Sequence, residues 1–273
     1  MLICQLTDMH LCREGEAAYR VVETNTLTER AFRAVAALRP HVDVLLLTGD
    51  LTFDGQDAEY QELMMLLRRH IECPVFVIPG NHDRRVPLRE QLADLPGVRS
   101  HPHFIQYAVE DYPVRIVMLD TLVPGADHGE LCAERLTWLD ATLAAQPGKP
   151  TLIAMHHPPF AGGIGYMDRI NLRNAAEFKA VIARHPQVER IVCGHVHRPI
   201  TARFAQAVCS VAPSTAHQLE LALDPHARGA FVMEPPFAHL HRWTAEDGFV
   251  SHVAYVEPFP GPYPFSGDPT PGP

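Results

Sequence analysis

Five times along this 273-residue chain a short apolar run stops at a cluster of aspartate, asparagine or histidine. LICQLT (2–7) is followed by Asp8 and His10, VDVLLLT (42–48) by Gly49-Asp50, and VFVI (75–78) by Pro79-Gly80-Asn81-His82-Asp83. TLIAM (151–155) leads into His156-His157-Pro158-Pro159, and VERIVC (188–193) into Gly194-His195-Val196-His197. A continuous apolar run bounded by turn residues reads as a strand buried on both faces. Helical patterns separate the first three: 26–38 puts Leu27, Ala31, Ala34, Val35 and Leu38 on one face, with Thr26 and Glu29 spaced as a capping box, and 57–70 turns Tyr60, Leu63, Met64 and Leu67 inward. Each polar cluster therefore lies past the carboxyl end of a strand, where the loops of an α/β sheet converge into sites.

The pattern changes at 104–120, where FIQYAVE and VRIVMLD flank Asp111-Tyr112-Pro113 as an antiparallel hairpin, and a helix over 133–145 turns Leu136, Leu139 and Leu143 inward. Beyond about 200 the helical alternation is lost, and 229–233, 237–243 and 249–256 read as short strands. The expected organisation is an α/β domain over 1–200, a strand-rich region over 201–256, and a Pro/Gly-rich tail over 257–273, extended or disordered.

Imidazole, carboxylate and amide oxygen together suit a borderline transition ion such as iron, zinc, manganese or cobalt, whereas an all-oxygen set would suit magnesium or calcium. Asp8, His10, Asp50, Asn81, His156, His195 and His197 are too many for one tetrahedral ion and form a natural set for two, since a carboxylate can bridge a pair about 3.5–4 Å apart. Of the 17 histidines, His101, His103, His239 and His241 lack such a context and read as surface or strand residues.

The D-x-H, G-D, G-N-H-D, H-H and G-H-x-H series resembles the calcineurin-like metallophosphoesterase superfamily over residues 8–197, and within it the group of class III cyclic-nucleotide phosphodiesterases and glycerophosphodiesterases. The resemblance implies a four-layer α/β/β/α sandwich of two mixed sheets with the metal site at one end. It implies one metal on Asp8, His10 and His197, a second on Asn81, His156 and His195, and Asp50 bridging them, with a hydroxide held by the metals attacking phosphorus. His82 corresponds to a histidine that contacts phosphate and assists the leaving group, and Asp83 is expected to orient it or to cap a helix. His217, in Thr215-Ala216-His217-Gln218, and Tyr19 are expected at the substrate, while His157 supports the site rather than binding metal.

A net charge of -9 supplies no general cationic field for nucleic acid, so a small phosphorylated substrate is expected, which the resemblance narrows to a small phosphodiester. The adjacent Arg84 and Arg85, after G-N-H-D, are expected to face solvent. No basic region precedes the apolar N-terminal stretch, no run of about 18 apolar residues occurs, and six scattered cysteines form no C-x-x-C pair. The expectation is a cytoplasmic enzyme without disulfides, and the resemblance implies a catalytic domain over 1–200, a region over 201–256 that completes the second sheet and forms a small cap or dimerisation surface, and a homodimer or higher oligomer. A phosphomonoesterase or nucleotidase with the same metals is the alternative activity. A scaffold that has lost its metal is disfavoured by the complete ligand series, and a nuclease by the chain's acidity.

Overall fold

A computed structural model describes residues 1–265. The chain opens as β1 (Leu2–Leu6), α1 (Thr24–Ala37), β2 (Val44–Thr48), α2 (Asp57–His70) and β3 (Val75–Ile78), followed by α3 (Arg85–Gln91). The hairpin β4 (Tyr107–Val109) and β5 (Arg115–Leu119) precedes α4 (Ala133–Ala144), β6 (Thr151–Met155), α5 (Gly165–Asp168), α6 (Ala175–Ile182) and β7 (Val188–Cys193). Six strands complete it: β8 (Ile200–Phe204), β9 (Ala207–Val211), β10 (Gln218–Leu219), β11 (Phe231–Val232), β12 (Phe237–Thr244) and β13 (Gly248–Tyr255).

One sheet has the order β13-β12-β1-β2-β3, with β1, β2 and β3 parallel and β12 antiparallel to β1. The other has the order β4-β5-β6-β7-β9-β8, parallel through its centre. Alternation along β5 shows the layering: Ile116 and Met118 pack toward the first sheet, whereas Val117 and Leu119 pack with Leu139 and Leu143 of α4 and Phe178 and Ile182 of α6. Helices α1 and α2 place Phe32, Tyr60 and Leu63 against the outer side of the first sheet. The result is helix, sheet, sheet, helix. Strands β2, β5 and β6 are buried along their whole length, which is why they read as unbroken apolar runs. Truncating one such leucine, Leu46 for example, costs about 2–5 kcal/mol.

Three sequence expectations are revised. Helix α1 begins at Thr24, not Thr26, and its N-cap Glu23 makes no side-chain cap bond. The Asn25 side chain instead clasps Cys12, accepting from its backbone N–H and donating to its carbonyl, both at 2.9 Å. The reciprocal contact expected at Glu29 occurs at α2, where Glu59 Oε2 accepts from Gln56 N–H at 2.9 Å. Beyond 200, only β8 and β9 extend the second sheet; β12 and β13 return to the first, and β10 with β11 forms a separate two-stranded ribbon. Residues 257–265 carry no strand or helix, and the remainder of the Pro-rich tail, 266–273, lies outside the described residues. No described helix is long and apolar enough to cross a membrane.

Candidate metal centre

Parallel strands deliver the five clusters to one edge, and the loops bind one another before they bind anything else. The His195 N–H donates to both Asp8 carboxylate oxygens at 3.0 Å, and the His82 N–H donates to Asp50 Oδ1 at 2.9 Å. Asp8, His10, Asp50, His195 and His197 all have positive φ, from 46° to 73°. A non-glycine residue there costs on the order of 1–3 kcal/mol, and such strain collects where a side chain must be aimed. The glycines of the motifs serve close approach: a Cβ on Gly80 would strike Asp50, and one on Gly194 would strike Thr7 and Asp8.

The side chains converge. Nε2 of His10 lies 3.0 Å from Nε2 of His197 and 3.7 Å from Asp50 Oδ2, and His197 Nε2 lies 3.3 Å from Asp8 Oδ1. Beside them, His156 Nε2 lies 3.4 Å from Asp50 Oδ2 and 3.2 Å from Asn81 Oδ1, with the His195 ring 5.1 Å away. Asp50 thus stands between two groups of donors. The outer nitrogens are committed to carbonyls: His156 Nδ1 to Thr48 O at 2.8 Å, His197 Nδ1 to His217 O at 2.9 Å, and His195 Nε2 to Ile170 O at 3.1 Å. Each such bond fixes the tautomer and leaves the other nitrogen's lone pair facing the cluster.

Burial raises the Asp8 and Asp50 carboxyls, but the neighbouring imidazoles outweigh it and hold both below the usual carboxylate range, Asp50 well below. Burial pushes His156 down, yet Asp50 and then Asp8 lift it to about 9. The two carboxylates thus draw positive charge to the point where imidazole lone pairs meet, and a cation can take the proton's place. Asp8, His10, Asp50 and His197 each offer a ligand atom within 4.8 Å of the others, and among the described residues His10 Nδ1 has no hydrogen-bond partner. Buried nitrogen donors meeting at hydrogen-bond distance, with carboxylates between them, fit transition-metal ions.

Around this cluster is a cavity of about 270 Å³ whose lining includes His82, Tyr19 and His217. The His82 ring stands edge-on to His10, centroids 4.6 Å apart, and its Nδ1 donates to Phe53 O at 2.7 Å, leaving Nε2 free. His217 lies 4.6 Å from the His197 ring, and Tyr19 stands edge-on to His217 at 5.3 Å and stacks on Phe231 at 5.3 Å. Tyr166, Ile170 and Phe231 add to the wall. Sequence reasoning missed these three, which come from short or irregular segments without a motif.

Among the described residues, Asp83 makes no hydrogen bond to the His82 ring, whose Nδ1 is held by Phe53 O. Its carboxylate accepts from the backbone N–H groups of Gly80, Leu51 and Thr52 and from the hydroxyls of Thr52 and Tyr60, at 2.9–3.3 Å. It does not cap α3, whose N-cap is Arg84. His157 has both ring nitrogens occupied, by Thr121 Oγ1 at 2.8 Å and Asp127 O at 3.1 Å. Arg84 is exposed, but Arg85 is not the solvent-facing cation expected: Nε and Nη2 donate to Asp120 at 2.7 and 2.8 Å, and Asp120 is fully buried.

An αββα sandwich carrying aspartate, asparagine and histidine donors at the ends of its central strands defines the class of two-cation hydrolytic proteins. The model of calcineurin-like phosphoesterases matches residues 1–199, and the chain belongs to that family. It is 36% identical over 266 residues to a probable glycerophosphodiester phosphodiesterase GpdQ of Arcobacter nitrofigilis, covering 97% of each chain. It is also 33% identical to the 3',5'-cyclic adenosine monophosphate phosphodiesterase CpdA of Escherichia coli K12, over 80% of this chain and 77% of that one. Among solved structures, a dimetal phosphatase from Danio rerio shares the fold with a TM-score of 0.63 at 16% identity, covering 94% of this chain and 99% of the other.

Proposed function

We propose that the protein is a two-metal hydrolase of small phosphodiesters, of cyclic-nucleotide or glycerophosphodiester type. The observation that carries this reading is the meeting of His10 Nε2 and His197 Nε2 at 3.0 Å beside Asp8 and Asp50, in a chain 36% identical across its length to a probable glycerophosphodiester phosphodiesterase. Asp8, His10 and His197 would hold one ion and Asn81, His156 and His195 the other, with Asp50 serving both. Iron, manganese, zinc and cobalt all suit these donors. When bound, such ions supply an activated water and positive charge for the phosphoryl oxygens.

The chain's own residues supply the rest. His82 is free at Nε2 because Nδ1 is engaged by Phe53 O. Its ring lines the cavity beside Asn81, so Nε2 is the nitrogen suited to carry the proton for the departing alkoxide. His217, neutral because burial and then His197 push it down to about 3, and Tyr19 shape the cavity for the uncharged part of the substrate. Arg85 is held by Asp120, which supports diester over monoester chemistry, since among the described residues beside His82 only Arg84 keeps an uncommitted guanidinium, and a dianion calls for a pair.

We extend the proposal to a cytoplasmic homodimer or higher oligomer. Strand β13 lies at a sheet edge and exposes Val250, Val253 and Tyr255, an edge that a second copy would cover. The test of function is a panel of cyclic AMP, glycerophosphodiesters, bis(p-nitrophenyl) phosphate and p-nitrophenyl phosphate on protein of measured metal content. The reading requires kcat/KM for a diester to exceed that for the monoester, and a monoester preference overturns it. Sedimentation tests the assembly, and a monomer at micromolar concentration contradicts it.

A further inference from the structure

A second hollow, about 590 Å³, shares Asn81 and His82 with the first and runs on along Phe53, Pro87 and Leu122. Its charged lining is Asp54, Asp83, Arg84 and Arg85. Asp83 is occupied by its five hydrogen bonds, and Arg85 by Asp120. Asp120 is itself shared between two arginines, since Arg135 Nη1 lies 3.9 Å from Oδ1, so that pair of guanidiniums faces one carboxylate. Counting Arg84, Arg85 and Arg135 against Asp54, Asp83 and Asp120, the groove side balances to zero in a chain of net charge -9.

Arg84 is the charge without an assignment. Among the described residues it hydrogen-bonds through its backbone only, donating to Tyr60 Oη at 2.9 Å and accepting from Leu88 N–H at 3.1 Å. The same Tyr60 hydroxyl donates to Asp83 Oδ1 at 3.0 Å, so the Arg84 backbone is tied to the loop that carries Asn81 and His82. Its stem lies across Gly55, where an added Cβ would stand 2.6 Å from Arg84 Cγ. Anchored backbone and seated stem place a guanidinium at the groove without committing its donors.

We propose that this groove is the subsite for the second substituent of the phosphodiester, and that Arg84 selects for substituents ending in an anionic group. The inference rests on the phosphodiesterase reading above and narrows its substrate class. A phosphodiester has two arms on one phosphorus, and Asn81 and His82 form the wall common to two hollows, so a phosphorus atom at the cluster can send one arm into each. The cavity beside Tyr19 and Phe231 suits a neutral arm. The Arg84 groove suits a carboxylate or a further phosphate, which a guanidinium binds through paired donors.

The test uses a matched pair of equal length, butyl p-nitrophenyl phosphate and 3-carboxypropyl p-nitrophenyl phosphate, and reads the ratio of their kcat/KM values. Wild type should prefer the carboxylate ester. Arg84→Ala should lower the ratio by up to about fivefold, the range expected for one exposed charge pair, and Arg84→Lys should retain most of it. An unchanged ratio in Arg84→Ala, or equal losses on both esters, overturns the assignment. If metal-loaded wild type hydrolyses neither ester, the phosphodiesterase reading fails separately. The relative affinity of wild type and Arg84→Ala for the two corresponding methylphosphonate esters then decides the subsite without catalysis.

Discussion

Tyr60 donates its hydroxyl to Asp83 across 3.0 Å, and through that bond helix α2 holds the carboxylate that joins the Asp50 loop to the Asn81 loop. Both residues are buried, so the donors around Asp83 have no water to replace it. Tyr60→Phe should lower stability by about 1–2 kcal/mol, and Asp83→Ala by more than about 3 kcal/mol, because the latter leaves several donors unsatisfied. Urea unfolding measures both. Equal, small losses would show that the carboxylate is not the clasp.

The ligand assignment predicts an order of metal loss. Asp50→Ala should reduce metal content and hydrolysis more than Asn81→Ala, because the carboxylate stands between both donor groups while the amide borders one. Elemental analysis beside turnover checks it, and equal content in the two variants contradicts the shared role.

His82 offers a contrasting signature. Its ring is held by Phe53 O and its backbone by Asp50, so His82→Ala should keep the metals while lowering turnover about 10²–10⁴-fold, least for p-nitrophenolate as leaving group. Loss of metal in step with rate would make His82 a ligand.

Much of this site was legible because a ligand loop must follow a strand that fixes it, and strands buried on both faces announce themselves as apolar runs. β3, β6 and β7 occupy the spans the runs predict, as does helix α2. What could not be read depends on distant pairing. The return of β12 to β1 is set by a register across more than 230 residues, and His239 and His241, expected as surface or strand residues, lie on β12 and are buried by that pairing. Arg85 looks solvent-facing until the chain brings Asp120 to it. Helix α1 has cap-forming residues in sequence, but Thr24 and Asn25 face Cys12, and that contact places the helix start.

Those two histidines predict a pH dependence. Burial, then the charge of Arg190, pushes His239 down to about 4, and burial holds His241 well below its ordinary range. A histidine whose folded pKa is depressed favours the fold fully above the unfolded value near 6.5, and that contribution is lost as pH falls toward the folded value. For His239 the window is pH 6.5 to about 4, worth about 3 kcal/mol across it. His239→Leu should therefore lose less stability than wild type between pH 7.5 and 4.5 in urea unfolding. An identical slope in both proteins would place His239 in contact with solvent.

The central claim is a centre for two cations that the hydrolysis of a phosphodiester needs. Its most direct measurement is a calorimetric titration of chelator-treated protein with manganese, read beside hydrolysis of bis(p-nitrophenyl) phosphate at each addition. The account predicts two equivalents per chain, with activity rising to its maximum only as the second site fills, and binding reduced to about one equivalent in Asn81→Ala. Saturation at one equivalent in the wild type, or diesterase activity that survives removal of all metal, would contradict it.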